Sequence, residues 1–156
     1  MKYVEGSKRV FLSTGTKFPR EVIWAVGAIK FSAAKSNVQL GLLDKEIGRA
    51  IQSKAKELMR GNHDQMMSVD VYQTGSGTGL NMNANELLAE LVSSELKRKV
   101  HPNDHVNMSQ SSNDVGPTAV RVAAAFAVSR ELIPALNRMS KSLDELAKDL
   151  GIEPVM

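Results

Sequence analysis

Leu132, Leu136, Met139, Leu143, Leu146 and Leu150 recur at steps of 4, 3, 4, 3 and 4 residues. That alternation keeps all of them on one stripe of an α-helix, and such a stripe is buried against other long helices, in the chain or in a partner subunit. No other feature of the 156 residues constrains the fold as tightly. The abundance of Ala, Leu and Met over β-branched, aromatic-rich runs points the same way, to a mostly all-α chain. Pro134, inside the run, removes one backbone hydrogen bond and predicts a kink.

The same periodicity predicts further helices upstream. Val22, Val26, Ile29, Ala33 and Leu40 share a face, with Pro19 in the first turn and Gly41 ending the run. Asp44 is placed to cap a second helix whose apolar positions, Ile47, Ile51, Ala55 and Leu58, stop before Gly61-Asn62. Together they read as a helical hairpin. Residues 1–18 lack periodicity and read as an irregular or short-stranded lead-in. Ser68 to Gln73 alternates apolar and polar residues, the pattern of a short strand. A helix carrying Leu87, Leu88, Leu91, Val92 and Leu96 follows a Gly-rich segment, a loop surrounds Pro102, and a long helical pattern runs from Pro117 almost to the end.

Composition removes several classes of function. Without Cys there is neither a disulfide scaffold nor a Cys-ligated zinc, which suits a reducing, cytoplasmic setting. The longest uncharged apolar runs, Val22 to Ile29 and Val122 to Ser129, fall short of the ~20 residues that span a bilayer. The start, Met1-Lys2-Tyr3-Val4-Glu5-Gly6, has no apolar signal core. The balance of 20 basic and 17 acidic residues, net +3, is interleaved along the chain, unlike the one-sided basic face of a nucleic-acid binder. Lys97-Arg98-Lys99 suits the negative end of a helix dipole.

Polarity breaks the helical pattern in two places. The first runs from Gln73 to Glu86 and contains Gly75-Ser76-Gly77-Thr78-Gly79 and Asn81-Met82-Asn83. Glycines let the backbone approach a ligand, and the helix behind them offers free N–H groups to an anion. The spacing matches neither a dinucleotide fingerprint nor a phosphate loop, and such a loop taken alone is more often a plain helix cap than a binding site. The second runs from Arg98 to Thr118 and holds His101, Asn103, Asp104, His105, Asn107, Gln110, Ser111, Ser112, Asn113 and Asp114. His101, His105 and Asp104 could suggest a metal, but Pro102 opposes the helical spacing that would pair the imidazoles, and no second ligand group is evident. Helix capping by the Ser, Asn and Asp residues is the bland alternative.

The two segments together resemble the class II fumarases of the fumarase/aspartase superfamily. Gly-Ser-Gly-Thr, Asn-Met-Asn, His-Pro-Asn-Asp-x-Val-Asn and Gln-Ser-Ser-Asn-Asp occur here in that family's order and spacing. A weaker likeness upstream, Thr14 to Pro19, Leu40 to Leu43 and Gly61 to Asp64, extends it over about residues 9–150. The resemblance implies a helical domain over 1–116 bearing the substrate-binding loops, and over 117–156 the first long helix of a central bundle. It implies reversible hydration of fumarate to (S)-malate, a step of the tricarboxylic acid cycle, without a cofactor or metal. Ser76, Thr78, Ser111, Ser112 and Asn113 would bind a substrate carboxylate or the reacting water. Arg98, His101, Asn103 and Asp104 match the segment that forms a second dicarboxylate site. Family members assemble as homotetramers.

The family's catalytic Thr-His pair and its mobile Gly-Ser-Ser-x-Met-Pro-x-Lys-x-Asn loop lie downstream of the part matched and do not occur here. The resemblance therefore implies an N-terminal portion, a truncated frame or half of a split enzyme, that acts with a complementing C-terminal chain. The alternatives are an inert helical module for assembly or regulation, and a related ammonia lyase (aspartase).

Overall fold

The computed structural model describes residues 2–10, 13–72 and 77–152. Among them the chain is helical, without a strand, in the order α1 (Lys2–Val10), α2 (Arg20–Gln39), α3 (Lys45–Met59), α4 (Thr78–Leu96), α5 (Ser112–Ala127) and α6 (Ile133–Asp149). The all-α expectation holds. Residues 1–123 and 124–156 form two compact units. No helix among the described residues is long and apolar enough to cross a membrane.

The hairpin of α2 and α3 forms as its sequence signals direct. Pro19 stands at the N-cap of α2, and Asp44 caps α3 by accepting the N–H groups of Glu46 and Ile47 at 3.1 and 3.0 Å. The Ile47 N–H is the main reason that the Asp44 carboxyl lies below its ordinary pKa. The two helices press together at Gly27, where a Cβ would lie 2.9 Å from Met59 Cγ and 3.2 Å from the Ala55 carbonyl oxygen. The inward face of α2 is rotated from the expected one: Ile23, Val26, Lys30, Ala34 and Asn37 are buried, whereas Leu40 is exposed. Two polar residues thus occupy a face that apolar periodicity alone cannot find.

The first unit is built around α4. Leu88 and Val92 pack with Ile47, Ile51 and Ala55 of α3, while Leu80, Ala84 and Leu87 pack with Ile23 and Val26 of α2 and with Ala119 and Ala123 of α5. Each large side chain buried in this way contributes about 1.5–3 kcal/mol before entropy is counted.

Four local expectations are corrected. Residues 2–10 are helical because the Glu86 carboxylate, on α4, accepts the N–H groups of Tyr3 and Val4 at 2.6 and 3.2 Å and so holds two of the unpaired donors at the start of α1. The segment from Ser68 to Tyr72 is not a strand, and Gln73 lies outside the described residues. The N–H groups of Ser68 and Val69 both donate to Asn83 Oδ1, and Val71 donates to the Thr16 carbonyl, so these groups are spent on a side chain and a loop. Asp70 beside them is buried and accepts from Tyr72 N–H at 3.0 Å and Thr14 N–H at 2.7 Å. Pro102 to Val106 is a wide π-helical turn, closed by Asn107 N–H on the Pro102 carbonyl at 2.9 Å, in place of an open loop.

The fourth correction is the start of α5, at Ser112 instead of beyond Pro117. Ser111 is its cap, with Oγ accepting Asn113 N–H at 3.2 Å and its carbonyl accepting Val115 N–H at 2.9 Å. Pro117 deprives the Asn113 carbonyl of a helical donor, but both residues are exposed and water can serve that oxygen.

In the second unit, a π-helical turn at Val128–Leu132 precedes α6, with Ile133 N–H bonded to the Val128 carbonyl. This wider turn takes up the disruption that Pro134 introduces. The Leu132 to Leu150 stripe is present on the helix, and each of its six members is 47–63% exposed.

Candidate functional site

The two polar segments meet where α4 and α5 begin, through residues 34 apart in sequence. Thr78, first residue of α4, donates its hydroxyl to Ser112 Oγ, first residue of α5, at 3.3 Å. The backbones approach closely too: a Cβ added at Gly77 would lie 3.2 Å from Gly116 Cα. Gly77 also has φ +76°, the left-handed region where a side chain is strained. A glycine at 77 is thus required both by conformation and by the neighbouring helix.

Two helix N-termini placed side by side bring the positive ends of their dipoles to one spot. The Thr78 and Ser112 side chains add neutral hydroxyls. Thr78 and Ser112 are half-buried, and Ser111 and Asn113 are exposed. Asn113 follows the cap in α5, so capping, the bland explanation for this residue, falls instead to Ser111. Ser76 lies outside the described residues. The arrangement can hold an anion by neutral donors.

The second predicted group divides. His101 caps the π turn: its Nδ1 accepts Asp104 N–H at 3.2 Å and lies 3.1 Å from Asp104 Oδ2, a contact that becomes an ion pair only when the ring is protonated. His105 Nδ1 accepts His101 N–H at 2.8 Å. Both rings are therefore tied into the turn through Nδ1. His101 and Asn103 line a groove of about 660 Å³ with Lys2, Tyr3, Met82 and Glu86. Arg98 does not line it and points to Asp44 and Glu46 at the start of α3, 3.8 Å from each. That groove is mainly apolar, whereas hydroxyls meet at the Thr78–Ser112 junction, so the junction is the better anion site. No cluster of three or more His, Asp or Glu suited to a metal occurs among the described residues.

A residue that motif reading passes over stands behind the second segment. Lys30 of α2 is completely buried, and its Nζ donates to Asn81 Oδ1 at 2.7 Å, Asn107 Oδ1 at 3.0 Å and Gln110 Oε1 at 2.8 Å. Burial pushes its pKa down to about 7. The available sequence signal was positional: Lys30 and Asn37 are seven residues apart on the face set by Ile23 and Ala34.

The sequence matches the lyase family Lyase_1 over residues 7–151. The chain belongs to this lyase family. Within it, the likeness to class II fumarases is borne out. The chain is 52% identical over 149 residues to a class II fumarate hydratase of Saccharolobus solfataricus, covering 96% of this chain and 34% of the relative. A class II fumarate hydratase of Xylella fastidiosa is 48% identical over 141 residues, with 90% and 30% covered. Among solved structures, the class II fumarase of Schistosoma mansoni superimposes with a TM-score of 0.82 at 35% identity, over 86% of this chain and 30% of that one. A fumarate lyase:delta crystallin from Brucella melitensis gives 0.88 at 32% identity, over 94% and 33%. The chain spans about a third of the length of the curated relatives it matches.

Proposed function

We propose that the chain supplies the N-terminal, substrate-binding part of a fumarate hydratase, which adds water reversibly across the double bond of fumarate to give (S)-malate. The observation that carries this reading is the junction of Thr78 and Ser112, where both motifs of the resemblance meet at paired helix N-termini. Hydroxide adds to one carbon and a proton to the other, on opposite faces. In the dehydration direction, loss of the proton leaves a carbanion whose charge spreads into the adjacent carboxylate. Such a species is stabilised by donors already aimed at the carboxylate oxygens. Thr78, Ser111, Ser112 and Asn113, with Ser76, are proposed for that role. Neutral donors suit it, because a fixed cation also stabilises the ground-state dianion and so adds less to the rate. His101, Asn103, Asp104 and Arg98 are proposed as the second dicarboxylate region.

Proton transfer in this family uses a Thr-His pair and a Gly-Ser-Ser-x-Met-Pro-x-Lys-x-Asn loop, and this sequence contains neither. The 156 residues alone are therefore expected to hydrate fumarate negligibly. The exposed Leu132 to Leu150 stripe is proposed as the seam at which a homo-oligomer or the complementing segments cover α6. The functional test is a chimera in which this chain replaces the matching third of the Saccharolobus solfataricus fumarate hydratase. Loss of fumarate ultraviolet absorbance, absent for the 156 residues alone, is expected for the chimera. A folded chimera without turnover would overturn the reading.

A further inference from the structure

The loop that delivers Ser111 to the junction is fastened to the interior by side chains of α2 and α4. Asn37 Nδ2 donates to the Met108 carbonyl at 2.9 Å. Two turns earlier on the same face, Lys30 reaches Asn107 and Gln110 in the loop and Asn81 on α4. Ser109, between the anchors, has φ +59°, a conformation that a residue with a side chain adopts at a cost unless its surroundings hold it. Gln110 immediately precedes the Ser111 cap. The spacing leaves no slack between anchor and ligand residues.

The orientation of each carboxamide is set by its own donors. Asn81 Nδ2 donates to Asn107 Oδ1 at 3.1 Å, and Asn107 Nδ2 to the Gln110 carbonyl at 3.2 Å. Gln110 Nε2 donates to the Val106 and Met108 carbonyls at 2.9 and 3.1 Å. With the NH2 groups bonded to other acceptors within the cage and the loop, three amide oxygens converge on Lys30 Nζ. An ammonium has three donors and no acceptor, which is the complement of this cage. Its bonds are charge-assisted and stronger than neutral ones. A neutral amide or an apolar side chain at position 30 would leave buried oxygens unpaired.

We propose that Lys30 is a positioning residue for the dicarboxylate site, clamping residues 107–110 so that Ser111, Ser112 and Asn113 are held against the start of α4. The proposal rests on the reading of those three residues as substrate ligands. Lys30 is fully buried, and its bonds run to the cage behind the ligand residues. Burial lowers its pKa, and the three amide oxygens favour the charged form against that penalty.

The experiment has two arms. In the 156-residue chain, Lys30→Met is expected to speed amide hydrogen exchange at Asn107, Gln110 and Val115 about a hundredfold while Ala55 in α3 keeps its protection, as local opening requires. In the chimera, the same variant is expected to raise KM for fumarate about tenfold and to lower kcat, because misplaced ligand groups cost both. A purely structural lysine would reduce the folded fraction and leave the KM of the surviving enzyme unchanged. The chain has no Cys, so Lys30→Cys can be alkylated with 2-bromoethylamine in urea and refolded. This restores an ammonium at nearly the lysine length, and both readouts are expected to return towards wild type.

Unchanged loop exchange and KM in Lys30→Met, or failure of the alkylated variant to recover, overturns the proposal. Should Lys30→Met not fold, Gln110→Leu decides through the same loop amides, with local deprotection expected and an unchanged pattern contradicting the clamp. A folded wild-type chimera without turnover contradicts the functional reading instead, and the exchange arm then judges the clamp separately.

Discussion

α4 and α6 are helices of similar length, each with an apolar stripe, and they meet opposite fates. Along α4, Leu80, Ala84, Leu87, Leu88 and Val92 are at most 2% exposed, enclosed by α2, α3 and α5. Along α6, Leu136, Met139, Leu143 and Leu146 stand 47–57% open. Apolar spacing states which face a helix must cover. Whether the cover lies in the same chain depends on other elements, and for α4 it does. The first unit therefore carries its stability and its site internally, whereas the second carries an apolar stripe without a partner among the described residues.

This contrast predicts the largest difference between two equal truncations. Leu87→Ala should destabilise the fold by about 2–5 kcal/mol, through lost burial and the cavity left behind. Leu143→Ala in the monomer should change it by less than about 0.5 kcal/mol, as exposed positions do. Urea unfolding measures both, and equal losses would break the comparison. Leu143→Asp should instead dissociate any oligomer seen by sedimentation, with the first unit's unfolding midpoint unchanged.

A smaller effect is expected where a charged group ties α1 to α4. Glu86→Ala removes the acceptor of the Tyr3 and Val4 N–H groups and should cost about 1–3 kcal/mol. Hydrogen exchange should show the loss concentrated in residues 2–10. A stable α1 in that variant would show that Val4 packing holds the helix by itself.

The buried cation adds a pH dependence confined to the first unit. Lys30 has a folded pKa of about 7 against an ordinary value of 10.5, so between these values the unfolded chain binds the extra proton. The penalty of burying the charge is fully present below about pH 7 and fades as pH rises towards 10.5. Its contribution to unfolding free energy should rise with pH by at most about 1.4 kcal/mol per pH unit. Wild type minus Lys30→Met, by urea unfolding at pH 7, 8 and 9, isolates that slope, and a flat difference would contradict it.

These cases also mark how far the sequence could be read. The α2–α3 hairpin, the Asp44 cap and the α6 stripe were legible because their signals are local: spacing, a capping side chain, a bounding glycine. α1 was not, since its anchor, Glu86, lies more than 80 residues away. The alternation from Ser68 to Gln73 was a true pattern with a false inference, because Asn83 took the N–H groups that a neighbouring strand would have needed. Of the candidate site, the motifs named Thr78 and Ser112, and the structure adds that they touch. Lys30 stayed invisible because a lone lysine on a helix ordinarily marks a solvent-facing position, and only the converging amide oxygens reveal it as interior.

The smallest expected effect on stability accompanies the most direct test of function. Asn113 is exposed and is not the cap of α5, so Asn113→Asp should alter stability by less than about 0.5 kcal/mol, an added carboxylate near a helix N-terminus being tolerated. Facing a dianion, the same change removes a donor and introduces repulsion. The decisive measurement is the rate of fumarate hydration by the chimera carrying Asn113→Asp, taken beside its thermal unfolding. The account predicts a rate lowered about a hundredfold or more with the unfolding midpoint unmoved, the loss expected when a donor to developing charge is removed. Near-normal hydration by that variant would contradict the placement of Asn113 at the substrate.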